Sequence, residues 1–235
     1  MATEGHLRDQ NRSHAMDVIY WSKPTPPILA KDLPAFYAFA ADEIGRDQPL
    51  DFLEFGVAHG KSMRTMTEIF TSPAARFYGF DSFVGLPEKW LMHDVGAFSN
   101  RGLFPEIDDG RVQFVKGWFQ NSVPVFLSQF KKEPGRPTLV HFDADLYSST
   151  LFLLASLWFK LDDFYFLMDD FIHDEVIALR DFVAGFPVRL EFLAQTKGGG
   201  ERPNPDQVFG RMRRIDLKPD SPEVAFQPVA VVSGH

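Results

Sequence analysis

Three acidic residues follow two apolar stretches of the chain at the points where those stretches end. Asp143 comes directly after Pro137–Phe142, and Asp169 and Asp170 come directly after Phe164–Met168. If the two stretches are neighbouring parallel strands, the three carboxylates lie close together and repel one another unless a cation joins them. Oxygen ligands of this kind suit Mg²⁺ or Ca²⁺. The alternative is that Asp169 and Asp170 cap the next helix while Asp143 accepts hydrogen bonds from nearby N–H groups.

A glycine turn early in the chain offers a place for a nucleotide cofactor. Strand-forming residues run from Phe52 to Val57, the turn is Gly56-Val-Ala-His-Gly60, and apolar residues at helical spacing follow from Ser62 to Phe70. The dinucleotide fingerprint has three glycines, whereas this turn has two. Glu54 lies inside the apolar run, where an unpaired charge costs roughly several kcal/mol. S-adenosylmethionine carries a sulfonium, an ammonium and ribose hydroxyls, so it suits this turn better than NAD does. The alternative is an ordinary strand-to-helix turn with Glu54 capping or pairing locally.

A fifth carboxylate, Asp81, follows the next predicted strand, Ala75–Phe80. It lies 21 residues beyond Gly60, about where an α/β nucleotide fold places the carboxylate that accepts both ribose hydroxyls. An aspartate that caps the following turn is the alternative. Trp118 follows the third predicted strand, Arg111–Lys116, and either stacks on an adenine ring or belongs to the core.

The elements that position these residues alternate between strand and helix. We predict five strand–helix units followed by two strands without an intervening helix, a pattern typical of a parallel sheet with helices on both faces. The predicted fold class is α/β, a Rossmann-like, seven-stranded, mostly parallel sheet whose last strand is antiparallel. A helix over Asp32–Ile44 precedes the sheet, and the stretch from Phe83 to Pro105 is predicted as a long loop over the pocket. The remaining predicted elements are helices over Ser122–Phe130, Leu151–Leu161 and Glu175–Val183, the closing strands Val188–Leu193 and Gln207–Met212, and one strand in the tail, Val229–Val232.

The length and the charge of the chain limit the classes of protein to which it can belong. The chain has 235 residues, and we expect a single domain over residues 1–235, with an N-terminal helical or lid segment to residue 45 and a tail from residue 215. It has 24 basic and 32 acidic residues and no long basic run. Nucleic acid is therefore not expected as a partner.

Residue types also limit the chemistry and the location. The absence of cysteine excludes disulfides and thiolate catalysis. The chain has no signal-peptide core and no run of about 18 apolar residues, so we expect a cytoplasmic protein with no membrane partner. The 25 phenylalanines leave a homo-oligomeric contact open.

Five motifs between Asp51 and Phe182 together resemble those of class I S-adenosylmethionine-dependent methyltransferases of the macrocin O-methyltransferase (TylF-like) family. The motifs are Glu54-Phe-Gly-Val-Ala-His-Gly-Lys-Ser62, Phe80-Asp-Ser-Phe-Val-Gly-Leu-Pro87, Lys116-Gly-Trp-Phe119, His141-Phe-Asp-Ala-Asp-Leu-Tyr-Ser-Ser-Thr150 and Asp169-Asp-Phe171. The second is the most specific. The resemblance implies methyl transfer to a hydroxyl of a small molecule, commonly a sugar of a natural product, with Mg²⁺ or another divalent cation assisting.

The resemblance further implies which residues do this. Asp143, Asp169 and Asp170 would hold the metal, which positions the substrate oxygen and lowers its pKa for in-line attack on the sulfonium methyl group. An aliphatic hydroxyl still needs a base. Catechol-type relatives have a lysine three residues after the strand-four aspartate, where this chain has Leu146. The remaining candidates for the base are His93, Asp145 and His173, whereas His141 lies inside a predicted strand and is expected in the core.

The residues expected to contact the cofactor are Glu54, Phe55, Gly56, Gly60, Ser62, Asp81, Ser82, Trp118 and Asp143. Two other functions stay open from the residues alone. A nicotinamide-dependent oxidoreductase is disfavoured by the missing third glycine. A methyltransferase-like module without catalysis is disfavoured because it has little reason to keep carboxylates that repel one another.

Overall fold

The apolar stretches of the sequence form the strands of one sheet. The computed structural model describes residues 28–171, 174–197 and 205–215. The strands are β1 (Ile28–Ala30), β2 (Asp51–Phe55), β3 (Arg76–Asp81), β4 (Val112–Lys116), β5 (Thr138–Phe142), β6 (Asp163–Met168), β7 (Val188–Thr196) and β8 (Val208–Arg214). The helices are α1 (Leu33–Ile44), α2 (Lys61–Ile69), α3 (Phe119–Gln129), α4 (Tyr147–Trp158) and α5 (Asp174–Gly185). None of these described helices combines the length and the apolar character that crossing a membrane requires.

The strand order confirms the predicted class of sheet. The order is β1-β7-β8-β6-β5-β2-β3-β4, and every neighbouring pair is parallel except those that β8 makes with β6 and β7. The last strand is therefore antiparallel, as predicted. Strand order reverses between β2 and β5, which is where open α/β sheets bind their ligands.

Side chains alternate between the two faces of the sheet, and each face is covered by helices. On β2, Leu53 and Phe55 pack in the cluster that includes Leu127, Leu154 and residues of α5. Phe52 packs in the opposite cluster, with residues of α1 and α2. Because side chains of a strand alternate with period two, Glu54 points to the same face as Phe52. Helices on both faces were predicted, and the two clusters confirm them.

The sheet has eight strands in the described residues, so the predicted count of seven is wrong. The additional strand is β1, which is three residues long and pairs only with β7. It follows Pro26 and Pro27 directly and is too short to show a periodic pattern. The predicted number of strand–helix units is also too high by one, because β3 is followed by the long loop and not by a helix.

Two helices begin three or more residues earlier than predicted. Helix α3 begins at Phe119, three residues before Ser122, so Pro124 lies inside it and removes one backbone hydrogen bond. Burial of Val123 and Leu127 against the core holds the helix in spite of that loss. Helix α4 begins at Tyr147 and not at Leu151, because the Ser-Ser-Thr run that resembles a turn forms the first helical turn. The predicted tail strand Val229–Val232 lies outside the described residues.

Candidate active site

Two parallel neighbours, β5 and β6, deliver acidic residues to one edge of the sheet. The strands end in register, and the Asp169 N–H donates to the Phe142 carbonyl oxygen at 3.1 Å. Beyond that point, one carboxylate oxygen from each of Asp143, Asp145 and Asp170 lies within 4.8 Å of the others. We call these three residues the acidic triad.

The acidic triad differs in one member from the metal-binding set that the sequence predicted. Asp143 and Asp170 belong to both sets, whereas the triad contains Asp145 and the predicted set contains Asp169. The backbone of Asp145 takes a left-handed conformation, with φ of 60°, which turns the chain there. Asp169 continues the β5–β6 ladder through its N–H, and its negative charge raises the pKa of Asp143.

Burial and the neighbouring carboxylates raise the pKa values of two members of the acidic triad. Burial, and then repulsion from Asp169, raises the pKa of Asp143 to about 8. Burial raises the pKa of Asp145 to about 9, and a hydrogen bond with the Asp170 carboxyl group adds to the rise. Such a bond between two carboxyl groups needs a proton, whose place a divalent cation can take. Three carboxylates with room for water or substrate oxygens fit Mg²⁺ or Ca²⁺.

A buried glutamate holds the two turns that carry the acidic triad. Glu175 lies in the first turn of α5, is 0 % exposed, and accepts hydrogen bonds from the Ala144 N–H at 3.1 Å and the Asp170 N–H at 3.3 Å. Burial, and then repulsion from Asp170, raises its pKa well above the usual range. Sequence reasoning missed this role, because an acidic residue at the start of a helix ordinarily serves the helix dipole. Only its burial distinguishes Glu175 from that case.

A cavity of about 240 Å³ lies beside the acidic triad, at the carboxyl ends of β2, β3, β4 and β5. Gly56 lines it with a φ of 96°, and a Cβ at this position would lie 1.7 Å from the Asp143 carbonyl oxygen, so only glycine fits. The predicted loop after β3 lines one side of the cavity. The lining residues are Gly56, Ala58, Asp81, Ser82, Gly85, Leu86, Pro87, Ala97, Phe98, Gly117, Trp118, Phe119, Gln120, Asp143, Ala144, Asp145 and Leu146.

Asp81 organises the glycine turn as well as lining the cavity. One carboxylate oxygen accepts from the Val57 N–H at 2.9 Å and the Ala58 N–H at 2.8 Å, and the other accepts from the Phe83 N–H at 2.6 Å. An ionised carboxylate has about four acceptor positions. The turn-capping alternative therefore describes real contacts. The Ser82 hydroxyl lies 3.5 Å from the second oxygen but donates at a shorter 3.0 Å to the Gly85 carbonyl oxygen, so about one position remains for a ligand.

Five of the nine residues expected to contact the cofactor line the cavity, and four do not. Those that line it are Gly56, Asp81, Ser82, Trp118 and Asp143. Phe55 is buried in the core, where its ring stacks on Phe80 at 4.7 Å. A Cβ on Gly60 would lie 2.9 Å from Pro105, so this glycine lets the loop after β3 pack over the turn. Ser62 is half-buried in the first turn of α2 and is not part of the lining.

Glu54, the fourth residue outside the cavity, pairs with a histidine in the protein interior. It is fully buried, and its Oε1 lies 3.1 Å from Nδ1 of His141, which stands beside it in the β2–β5 register. Burial lowers the pKa of His141, but the hydrogen bond with Glu54 and the surrounding carboxylates raise it to about 9. Pairing with Glu54 therefore favours the protonated imidazole, and burial opposes it. The local-pairing alternative for Glu54 describes this arrangement, and the expectation that His141 is a core residue is confirmed.

Of the two histidines proposed as bases, the structure describes one. His93 stacks on Trp90 at 5.6 Å and contacts Phe98 at 4.8 Å, and it is not part of the cavity lining. His173 lies outside the described residues. Leu146, at the position where catechol-type relatives have a lysine, lines the cavity.

The shifted pKa values predict that metal-free protein loses stability between pH 6.5 and pH 9. The folded-state pKa of His141 lies above its unfolded value, so its contribution is complete below about pH 6.5 and is lost as the pH rises through about 9. Asp143 and Asp145 act in the same direction, because their folded-state pKa values are raised too. The slope is about 1.4 kcal/mol per pH unit for each proton involved.

Urea denaturation in EDTA at several pH values measures this slope. The isosteric variant Asp145→Asn is the control, since it removes one titrating group and is expected to show a shallower fall and higher stability than the native protein at pH 9. Stability that is constant or rises from pH 6.5 to pH 9 would contradict the assignment.

Comparison with known proteins gives one match to a family and many to solved folds. Residues 96–188, which are 93 of the 235, match the sequence model of the macrocin-O-methyltransferase (TylF) family. The resemblance predicted from the motifs is confirmed. The TylF match contains the third, fourth and fifth motifs, including the whole acidic triad, and begins after the second. No curated protein matches the chain.

The chain is similar to several solved methyltransferase structures. An O-methyltransferase from Bacillus cereus in complex with SAH is 15 % identical, with 88 % of this chain and 91 % of that chain covered and a TM-score of 0.50. The O-methyltransferase NovP is 22 % identical, with 75 % and 76 % covered and a TM-score of 0.47. CalS11, a TDP-rhamnose 3'-O-methyltransferase of calicheamicin biosynthesis, is 20 % identical, with 92 % and 97 % covered and a TM-score of 0.45. At 15 % identity, the Bacillus cereus structure supports the fold of this chain.

Proposed function

We propose that this protein is an S-adenosylmethionine-dependent O-methyltransferase that methylates a hydroxyl of a small molecule, a sugar or a glycosylated natural product, with a divalent cation assisting. One observation carries the proposal. A single cavity is lined by Asp81 and the glycine turn and also by two members of the acidic triad. Sites for ribose hydroxyls and for an activated acceptor hydroxyl are therefore contiguous.

The residues around the turn hold the methyl donor. Gly56 lets the backbone of the turn lie directly against the Asp143 carbonyl group at the cavity wall, and the remaining acceptor position of Asp81 takes a ribose hydroxyl. Trp118, which is 39 % exposed, offers its ring as a stacking surface for the adenine. When bound, S-adenosylmethionine supplies an electrophilic methyl group.

The acidic triad prepares the acceptor. Asp143, Asp170 and either Asp145 or Asp169 would hold the cation, which would supply Lewis acidity that lowers the pKa of an acceptor hydroxyl. If Asp169 completes the cation site, Asp145 is the base, since it lines the cavity and is then not a ligand. A bound cation would favour the ionised forms of the carboxyl groups around it. An ionised Asp145 would accept the proton that the acceptor hydroxyl loses on methylation.

The cofactor assignment predicts micromolar binding of S-adenosylhomocysteine and a loss of affinity in Asp81→Ala. Losing hydrogen bonds to a charged group costs about 1.5–3 kcal/mol each, which corresponds to roughly a ten- to hundredfold weaker Kd. Isothermal titration calorimetry measures this loss of affinity.

The variant Asp81→Asn separates ligand recognition from turn capping. Its amide carbonyl oxygen keeps part of the capping, whereas the negative charge is lost. Asp108→Ala, at an exposed carboxylate before β4, is the control. Equal affinity in native protein and Asp81→Ala, or tighter binding of NAD, would contradict the assignment.

A further inference from the structure

A cluster of apolar side chains is exposed at the edge of the sheet opposite the cavity, where helix α4 ends. Phe159, directly after α4, is 73 % exposed, more than any other phenylalanine or tryptophan in the described residues. Its ring packs edge-on against Trp158 at 5.0 Å, and Trp158 packs against Phe186 at 5.2 Å. Ile215 is 49 % exposed and lies next to Phe186, because its N–H donates to the Pro187 carbonyl oxygen at 2.8 Å. We call Trp158, Phe159, Phe186 and Ile215 the apolar patch.

The apolar patch is bordered by a cation. The Arg214 guanidinium lies over the Trp158 ring at 5.6 Å and donates to the Trp158 carbonyl oxygen at 3.2 Å. Among the residues that the structure describes, no carboxylate forms an ion pair with Arg214. Contiguous exposed apolar surface usually marks a contact with another segment or molecule. A segment that covers this surface should therefore combine apolar side chains with acidic ones.

The sequence that follows Ile215 has this composition. It reads Asp216-Leu-Lys-Pro-Asp-Ser-Pro-Glu-Val-Ala-Phe-Gln-Pro-Val-Ala-Val-Val232, and we call it the tail segment. It contains three prolines, four valines and one phenylalanine, and three acidic residues against one lysine. Segments that contain several prolines favour an extended conformation and bind aromatic surfaces at a low cost in conformational entropy.

The tail segment starts at the apolar patch, so it can reach all of it. The Arg214 N–H donates to the carbonyl oxygen of Asp162 at 2.7 Å, and Asp162 is three residues beyond Phe159, at most about 11 Å along the chain. The eleven residues from Ile215 to Phe226 can span up to about 36 Å. A short tether of this kind gives an effective concentration on the order of millimolar, so even a weak contact is populated.

We propose that the tail segment docks on the apolar patch of its own chain. The Phe226 ring packs against Phe159 and Trp158, and an acidic side chain of the tail segment lies beside Arg214. Docking covers the most exposed phenylalanine of the described residues and gives Arg214 a counter-charge. The proposal is independent of the proposed function, because the apolar patch and the cavity lie at opposite edges of the sheet.

Protection of the tail segment from thermolysin tests the proposal on the full chain. Thermolysin cuts on the amino side of valine and phenylalanine, and intact mass identifies the chains that are cut before Val224. Phe159→Ser alters the apolar patch and leaves the cleaved sequence unchanged. The cut before Val224 is expected to be at least about tenfold slower in the native protein than in Phe159→Ser, because cleavage follows the population of undocked tail segment.

A double-mutant cycle separates docking from a general loosening of the protein. Phe226→Ser is expected to speed the cut before Val224 about as much as Phe159→Ser does. The double variant should be no more than about twofold faster than either single variant, since both changes remove the same contact. Val125→Ser is the control, because Val125 is 59 % exposed on a different helix, α3, and it is expected to leave the native rate unchanged.

Three outcomes would overturn the proposal. One is an equal rate of cutting in the native protein and in Phe159→Ser, and another is effects of the two serine substitutions that multiply in the double variant. The third is a native dimer in sedimentation that Phe159→Ser dissociates, because a second copy would then cover the apolar patch. Circular dichroism shows whether each variant is folded, and Phe226→Ser, which changes only the tail segment, tests the contact even if Phe159→Ser does not fold.

Discussion

Asp170→Asn is expected to abolish methyl transfer, by at least about a thousandfold, while the affinity for S-adenosylhomocysteine stays within about threefold of the native value. Asp170 belongs to the acidic triad but does not line the cavity, whereas Asp81 and Gly56 do. Removing a metal ligand and a charge beside the reacting oxygen acts on the chemical step, which metal ions assist by several kcal/mol. Turnover assays and calorimetry on the same preparations measure the two effects.

The same variant shows whether a cation binds at all. In the native protein, Mg²⁺ at about ten times its Kd adds about 1.4 kcal/mol of stability by mass action. For a chain of this length that raises the Tm by roughly 3–6 °C. Asp170→Asn is expected to lose this increment and to show the same Tm in EDTA and in Mg²⁺. If the native protein shows no Mg²⁺ response, metal assistance is wrong. If Asp170 only caps α5, the variant loses stability equally in both conditions.

A matched pair of variants identifies the third ligand. Asp145→Asn removes a carboxylate after β5, and Asp169→Asn removes one after β6. The variant that loses the Mg²⁺ increment identifies the ligand. The distances favour Asp145, while the resemblance to the TylF family favours Asp169. If Asp169 is the ligand, Asp145 is free to act as the base, and Asp145→Asn then keeps the Mg²⁺ increment but loses turnover.

The strands and the edge of the sheet that carries the site could be predicted from local pattern. The run from Asp51 to Phe55, followed by glycines and then by Met63 and Met66 at helical spacing, specifies strand, turn and helix without tertiary information. The positions of Asp143 and Asp170 follow from strand ends in the same way. Parallel neighbours bring their carboxyl ends to one edge, so proximity along that edge is a consequence of topology.

What could not be predicted depends on contacts between distant residues or on single dihedral angles. The sequence predicts Glu54 as a ligand for a cationic cofactor. Its partner, His141, lies 87 residues away, so no local pattern indicates the pairing. Asp145 enters the acidic triad through one left-handed φ angle, which no spacing rule indicates for an aspartate. The short strand β1 exists because β7 offers it an edge, and three residues contain too little pattern to show that.

Glu175 is the residue where local pattern and tertiary structure differ most, and its replacement should have a large effect on stability. Glu175→Ala leaves the N–H groups of Ala144 and Asp170 without their acceptor. Each unsatisfied buried group costs about 1–3 kcal/mol, so the free energy of unfolding is expected to fall by about 2–6 kcal/mol. Because these N–H groups belong to the turns that carry the acidic triad, the Mg²⁺ increment in Tm is expected to fall by at least half.

Two further variants separate positioning of the triad from a general loss of stability. Glu175→Gln has nearly the same size but replaces one acceptor oxygen with an NH₂ donor, so it is expected to lose the Mg²⁺ increment with a smaller loss of stability than Glu175→Ala. Glu68→Ala, at an exposed glutamate of α2, is the control and is expected to change the free energy of unfolding by less than about 0.5 kcal/mol. Urea denaturation gives the stability, and thermal shift in EDTA and Mg²⁺ gives the metal response. Native stability and a native Mg²⁺ response in Glu175→Ala would show that the turns carrying the acidic triad hold their geometry without this carboxylate.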